Sequence, residues 1–138
     1  MVCPTGWHLP TDAEWTQMEN VVSTIPIDPD ATGERGDHLG KLAAYDENWD
    51  PSSTPNTPGY TEPFDDRNLS GFSARPMGYY WRGFDAQTRY AQFWTATENP
   101  EDTTKAYDRW MGYLYTSVQR YSHSKTMGYS VRCVRDSE

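Results

Sequence analysis

Apolar residues recur at helical spacing in one clear stretch of the chain. Trp15, Met18 and Val22 stand at i, i+3 and i+7, which places them on one face of a helix. Thr11-Asp12-Ala13-Glu14 has the S/T-x-x-E form of a capping box, so Thr11 caps an early amide and Glu14 reaches back to Thr11. Asp12 suits the positive helix end. Pro26 and Pro29 stop this helix, and Asp28 to Gly36 reads as a turn-rich loop. A second short helix is predicted from Asp37, with Leu39 and Leu42 inward, fading by Tyr45. Residues 46–70 hold Pro51, Pro55, Pro58 and Pro63 among many Ser, Thr, Asn and Asp. They read as a long loop, a feature uncommon inside compact domains and often functional.

Beyond residue 70 the pattern turns to strands. Ser70–Ala74 alternates small, polar and apolar residues, and Tyr79-Tyr80-Trp81 precedes a turn near Gly83. Ala91–Thr97 is rich in aromatic and β-branched residues. Asn99-Pro100-Glu101-Asp102 is a turn, and Lys105–Met111 with Leu114–Tyr121 reads as a hairpin about Gly112-Tyr113. Tyr129–Val134 alternates cleanly as a last strand. Helices first and antiparallel strands after them predict an α+β domain spanning residues 1–138, with no internal repeat.

Composition sharpens this picture. Leu, Ile, Val and Phe make up 17 of 138 residues, few enough to raise disorder, and the net charge is -8. Six Trp and ten Tyr replace the missing aliphatics, so the expectation is a folded domain with an aromatic core. Ten Gly and ten Pro imply many turns and exclude a helical bundle. No apolar stretch approaches the length of a membrane span. Met1-Val2-Cys3 leaves no room for a signal peptide, and the chain reads as beginning inside a longer precursor. Lys and Arg are scattered singly, so no basic stripe predicts nucleic-acid or anionic-membrane binding. Cys3 and Cys133 either bridge or are unrelated thiols; the bridge is the favoured reading, and it places the chain in an oxidising compartment.

Two strings are highly specific. Cys3-Pro4-Thr5-Gly6-Trp7-His8-Leu9-Pro10-Thr11-Asp12-Ala13-Glu14-Trp15 opens the chain and Gly128-Tyr129-Ser130-Val131-Arg132-Cys133-Val134-Arg135-Asp136 closes it. Between them, Gly40-Lys41-Leu42, Ser70–Ala74 with Pro76 and Gly78, Phe93–Glu98, and Ala106, Arg109, Met111, Val118 and Arg120 fall in order. Together they resemble the Fibrobacter succinogenes major paralogous domain. That resemblance implies a C-type lectin-like fold related to the sulfatase-modifying-factor domain: two helices, then a twisted antiparallel sheet with long loops. It also implies a secreted protein or surface lipoprotein, at the cell surface, outside the cell or in the periplasm. It brings the first and last strands together, which gives the Cys3–Cys133 bridge a geometry. Arg75 and Met77 stand where that family commonly has Leu and Gly, and the family's usual preceding segment is missing.

The chemistry of known relatives finds little support here. A lectin calcium site needs a Glu-Pro-Asn or Gln-Pro-Asp loop and a Trp-Asn-Asp strand; the chain offers Glu98-Asn99-Pro100, in the wrong order. Asp28, Asp30 and Asp37 near Gly33 lack the closing Glu of a calcium loop, and Asp46, Glu47, Asn48 and Asp50 read as a solvated acidic loop. The expectation is no cofactor and no metal. The cysteines occupy structural positions, so sulfatase-modifying activity is not expected. His8, His38 and His123 are dispersed without zinc spacing, and His8 reads as a hydrogen-bonded packing residue. No residue is singled out as catalytic, and no enzyme is expected.

What remains is aromatic. Tyr107, Asp108, Trp110, Tyr113, Tyr115, Tyr121 and His123 crowd one hairpin, where Ala106, Met111 and Val118 claim the core. Tyr and Trp give rigid contact area at low entropy cost. These seven residues are the expected ligand-binding set, on the face that carries ligands in lectin-like folds. The expected function is non-enzymatic recognition of a glycan or protein by a secreted or surface-anchored bacterial protein, such as an adhesin. The resemblance also suggests a protein varied by a diversity-generating retroelement, because mutation of Asn codons at adenines yields Tyr, Ser, Asp and His. The alternative is a structural module of a lipoprotein or fimbrial subunit, whose aromatics merely cover the sheet; a hydrolase comes third.

Overall fold

The computed structural model describes residues 1–44 and 48–137. Strand β1 (Trp7–His8) leads into helix α1 (Asp12–Val22), strand β2 (Gly33–Arg35) and the single-turn helix α2 (Leu39–Leu42). Six strands follow: β3 (Tyr79–Tyr80), β4 (Phe84–Asp85), β5 (Tyr90–Asn99), β6 (Asp102–Gly112), β7 (Val118–Ser124) and β8 (Val134–Arg135). The central sheet is antiparallel, in the order β2-β7-β6-β5. β3 and β4 form a separate hairpin, and β1 pairs with β8. The architecture is α+β, dominated by antiparallel strands.

Local chemistry explains α1 as expected. Thr11 accepts from the Glu14 amide (3.1 Å) and the Glu14 carboxylate accepts from the Thr11 amide (2.8 Å), the reciprocal capping box. The helix ends at Ser23, three residues before Pro26. Cys3 and Cys133 are bridged, with Cα atoms 5.8 Å apart, and the β1–β8 pair beside them clasps the chain ends.

The strand register sorts the central sheet into two faces, because successive side chains point opposite ways. Phe93, Arg109 and Arg120 are directly opposed on the face toward α1; Trp94, Asp108 and Tyr121 are opposed on the outer face. The apolar core lies on the first face. Trp15 of α1 meets Phe93 and Phe72 (ring centroids 5.7 and 5.5 Å), joined by Leu39, Leu42, Ala91, Met111 and Val118. Each such large apolar side chain, once buried, stabilises by about 1.5–3 kcal/mol.

Several segments differ from expectation. Residues 70–74 form no strand. Asn68, Gly71 and Ser73 all have positive φ, so this segment turns tightly and bonds back to α2. Ala74 alone bridges, to Ala43. Gly33–Arg35, inside the stretch read as loop, is an edge strand against β7. The β6–β7 connection is longer than a tight turn and spans residues 113–117, because β7 starts only at Val118. Residues 129–134 form isolated bridges rather than one strand: Ser130 pairs with Phe93, and only Val134 enters β8. Tyr45, the expected end of the second helix, lies outside the described residues. Trp7, in the string that opens the chain, is 46% exposed and so stands outside the aromatic core that the composition predicts.

Candidate functional site

The α1 face of the sheet carries a buried ionic cluster that sequence reading missed. Arg109 donates to Glu19 (2.7 Å) and Asp12 (2.7 Å), while Arg120 donates to Asp12 (2.7 Å). Arg35 reaches the Thr16 hydroxyl (2.7 Å), and the His38 ring lies 3.0 Å from Glu19. Burial pushes the Glu19 carboxyl up, but the hydrogen bond to His38 and the charges of Arg109 and Arg35 outweigh it, leaving it below its ordinary value. Asp12 is lowered in the same way, with Arg120 and Arg109 outweighing burial. Apart from Arg35 Nε and His38 Nδ1, which have no hydrogen-bond partner among the described residues, these groups bond one another, so the cluster fastens α1 to the sheet. The available signal was the recurrence of Asp12, Thr16 and Glu19 at helical spacing, a polar stripe beside the apolar one.

The outer face is aromatic. Trp110 lies at its centre, with ring centroids 5.5 Å from Tyr90, 6.1 Å from Tyr79, 5.4 Å from His123 and 6.3 Å from Tyr121. Tyr129 stacks on Trp94 at 4.4 Å and meets Trp110 and His123 edge-on. Edge-on and offset pairs of this kind add about 0.5–1.5 kcal/mol each beyond their burial. Tyr121 and His123 remain more than one-third exposed.

Polar groups lie beneath and beside these rings. Asp108 is fully buried and shares a 2.7 Å hydrogen bond with His123 Nδ1. Burial pushes its carboxyl up, and His123 only partly offsets this. Its second oxygen, Oδ1, has no hydrogen-bond partner among the described residues; the same holds for both amide atoms of buried Gln92, the Trp110 indole nitrogen and the Tyr129 hydroxyl. Burial also raises the Tyr129 hydroxyl far above its ordinary value, and the Asp108 charge adds to this.

Of the seven expected ligand residues, the sheet gathers Asp108, Trp110, Tyr121 and His123 on this outer face. Tyr107 points the other way, with the Arg120 guanidinium 4.0 Å above its ring. Tyr113 and Tyr115 are half-buried against the apolar core. Two aromatic groups lie outside the expected ligand set: Tyr79 and Tyr90 at the rim of this face, and the exposed Tyr80, Trp81 and Phe84 of the β3–β4 hairpin. His8 bonds Asp136 (2.6 Å) and Glu14 (2.9 Å), as a packing residue would.

Among the described residues, no group of three or more His, Cys, Asp and Glu is arranged to hold a metal ion. Asp28 caps the amide of Asp30, and Asp37 accepts from Thr24 and Ser23. Asp46 and Glu47 of the second acidic cluster lie outside the described residues. Among those described, no helix is long and apolar enough to cross a membrane.

The geometry defines an α+β domain whose termini are clasped by a disulfide and whose sheet carries an aromatic outer face. The chain belongs to the Fibrobacter succinogenes major domain family, whose model matches residues 1–135. No curated protein and no solved structure matches it.

Proposed function

We propose that this domain is a non-enzymatic recognition module of C-type lectin-like type, binding a glycan or protein at the outer face of its sheet. The observation that carries this reading is the grouping of Trp110, Tyr121 and His123 into one partly exposed aromatic surface. The apolar core is complete on the other face, so these rings are not needed there. Asp108 and Gln92, neighbours of Trp110 in the sheet, are fully buried, so the surface open to a ligand is the rings themselves. Rigid, partly exposed rings suit a ligand with a flat apolar face. The Cys3–Cys133 bridge fits residence outside the cytoplasm, at the cell surface or in the periplasm.

A glycan and host-protein array, probed with the wild-type domain and with Tyr121→Ala, tests the reading. Loss of the array signals in Tyr121→Ala, at unchanged fold, supports it. Signals that survive the substitution remove the outer face as the site.

A further inference from the structure

Asp108 and His123 pair across β6 and β7 with unequal access to solvent. Asp108 is fully buried, whereas more than a third of the His123 side chain is exposed. They meet through His123 Nδ1 and Asp108 Oδ2, 2.7 Å apart. The other ring nitrogen, Nε2, bonds no described residue and is open to solvent. Around it stand Trp110, Tyr121 and Tyr129, with ring centroids 5.4, 5.8 and 6.1 Å from the His123 ring. A nitrogen with an unused hydrogen-bonding position therefore sits among ring faces.

An ionised carboxylate only accepts, so Asp108 fixes what Nε2 offers. With one proton on the pair, that proton lies on Nδ1 toward Oδ2, and Nε2 carries a bare lone pair. The other tautomer sets the lone pairs of Nδ1 and Oδ2 against each other. With a second proton on the pair, Nε2 carries a hydrogen, whether the carboxyl or the ring holds the proton between Nδ1 and Oδ2. Nε2 is thus an acceptor above the titration of the pair and a donor below it. Histidine is the side chain that ordinarily exchanges a proton between about pH 5 and 8. Other ionisable groups near the ring do not compete for that proton. Tyr121 and Tyr129 are phenols, which ordinarily ionise near pH 10, and burial raises Tyr129 further. Glu98 stands opposite Ala106, which also opposes His123, and it is paired with Lys125. Arg109, beside Asp108 in β6, is held by Glu19 and Asp12.

The same surroundings select the ligand. Lys125 is already paired and the chain carries -8, so an anionic ligand is disfavoured. A sugar ring sets an apolar face between edge hydroxyls, which matches ring faces around one acceptor. Resting on the recognition reading above, we propose that His123 Nε2 sets the specificity of the outer face. At neutral pH it accepts a hydrogen bond from a hydroxyl of a neutral glycan; in mild acid it donates instead, and the need for a free hydroxyl is lifted. Asp108 is the positioning residue that holds the tautomer.

The test uses an array of neutral oligosaccharides and their O-methylated counterparts, which keep the ring and lose the donor, probed at about pH 8 and pH 5. The wild-type domain should favour the free hydroxyl by roughly tenfold at the higher pH, the order of one hydrogen bond, and bind both sets about equally at the lower. Asp108→Asn should lose the preference at the higher pH, because an amide can donate to Nδ1 and release the tautomer. His123→Phe should lack it at both. Melting temperatures establish that these variants fold, and the wild-type comparison needs neither. Nitrogen-15 NMR of the free domain should show His123 protonated on Nδ1 alone at the higher pH. Protonation on Nε2 there overturns the proposal, as does a preference equal at both pH values or persisting in His123→Phe. Signals abolished by Tyr121→Ala but showing no preference between the two sugar sets overturn it and leave the outer-face reading standing. No sugar signal at either pH overturns it and leaves that reading to its protein arm.

Discussion

Glu19→Gln removes one charge and almost no volume from the interior. Glu19 is fully buried and receives Arg109 Nε at 2.7 Å, His38 Nε2 at 3.0 Å and Arg35 Nη2 at 3.5 Å. Its pKa is held below the ordinary value, so near neutral pH the carboxylate is ionised and offsets two guanidinium groups. Neutralising it leaves Arg109 and Arg35 with Asp12 as the nearest remaining carboxylate of the cluster, which Arg120 already shares. Breaking a buried ion pair from one side costs about 3–5 kcal/mol, chiefly through the uncompensated charge left behind. For a chain of this length the unfolding entropy is roughly 0.29 kcal/mol per kelvin, so each kcal/mol moves Tm by about 3–4 °C. The expected fall is therefore roughly 10–17 °C, read by circular dichroism at pH 7. Arg109→Gln should cost a similar amount, and the double variant less than the sum of the two, because they share one interaction. A fall below about 3 °C for Glu19→Gln, or strict additivity in the double variant, would refute the idea that this cluster fastens α1 to the sheet.

Other consequences are open to measurement. Opening the Cys3–Cys133 bridge by Cys→Ser at both positions frees a loop of sequence separation 130, worth about 5 kcal/mol on the chain-entropy model, and should lower the guanidinium midpoint without reductant present. Because folded-state pKa values of Glu19 and Asp12 lie below the ordinary 4.5 and 3.8, their stabilisation is complete at neutral pH and should be lost as acid takes pH down through the folded values. Asp108 has the opposite sign: its raised pKa means stability falls as pH rises from 3.8 toward the folded value, so Asp108→Asn should flatten stability–pH curves in that window. Gly78→Ala adds a Cβ 2.1 Å from the Asp85 carbonyl at φ +71, whereas Gly71→Ala meets open space at the same φ. Gly71→Ala should thus cost about 1–2 kcal/mol in thermal melts and Gly78→Ala clearly more. Tyr121→Ala, on the partly exposed face, should cost only about 1 kcal/mol, since about a third of the residue is already in water.

What could be read from the sequence was chemistry confined to a few neighbouring residues. The Thr11–Glu14 cap and the aromatic run of β5 belong to that class, as do the two-residue turn at Pro100-Glu101 and the motifs at the chain ends. The segment 70–74 misled because alternation of small and apolar residues also suits a coil of tight turns; Asn68 is a residue type enriched at positive φ, but nothing in Ser73 announces it. β2 is three residues long and has no alternation to detect; it is a strand because β7 offers it an edge. Residues 129–134 do alternate, but their period reflects successive bridges to different neighbours rather than one ladder.

The candidate site shows the same limit at the level of faces. Ala106 and Met111 are five residues apart in β6 and therefore point to opposite sides of the sheet, although both are buried. Taking both as marks of one core leaves the direction of Tyr107, Asp108 and Trp110 undetermined. Register settles it: Arg109 opposes Arg120 toward α1, so Asp108 and Trp110 face outward with Tyr121. The sheet then divides its labour. On one side, ion pairs and an aliphatic-aromatic core hold α1 in place. On the other, the surplus aromatic rings form a layer that is tied to the core only through the strands themselves. A ring on that layer can change without removing a partner of Glu19, because among the described residues the Glu19 carboxylate is bonded only by Arg109, Arg35 and His38. That separation lets a chain poor in Leu, Ile, Val and Phe keep a stable interior and still carry large rings on the outer face of its sheet.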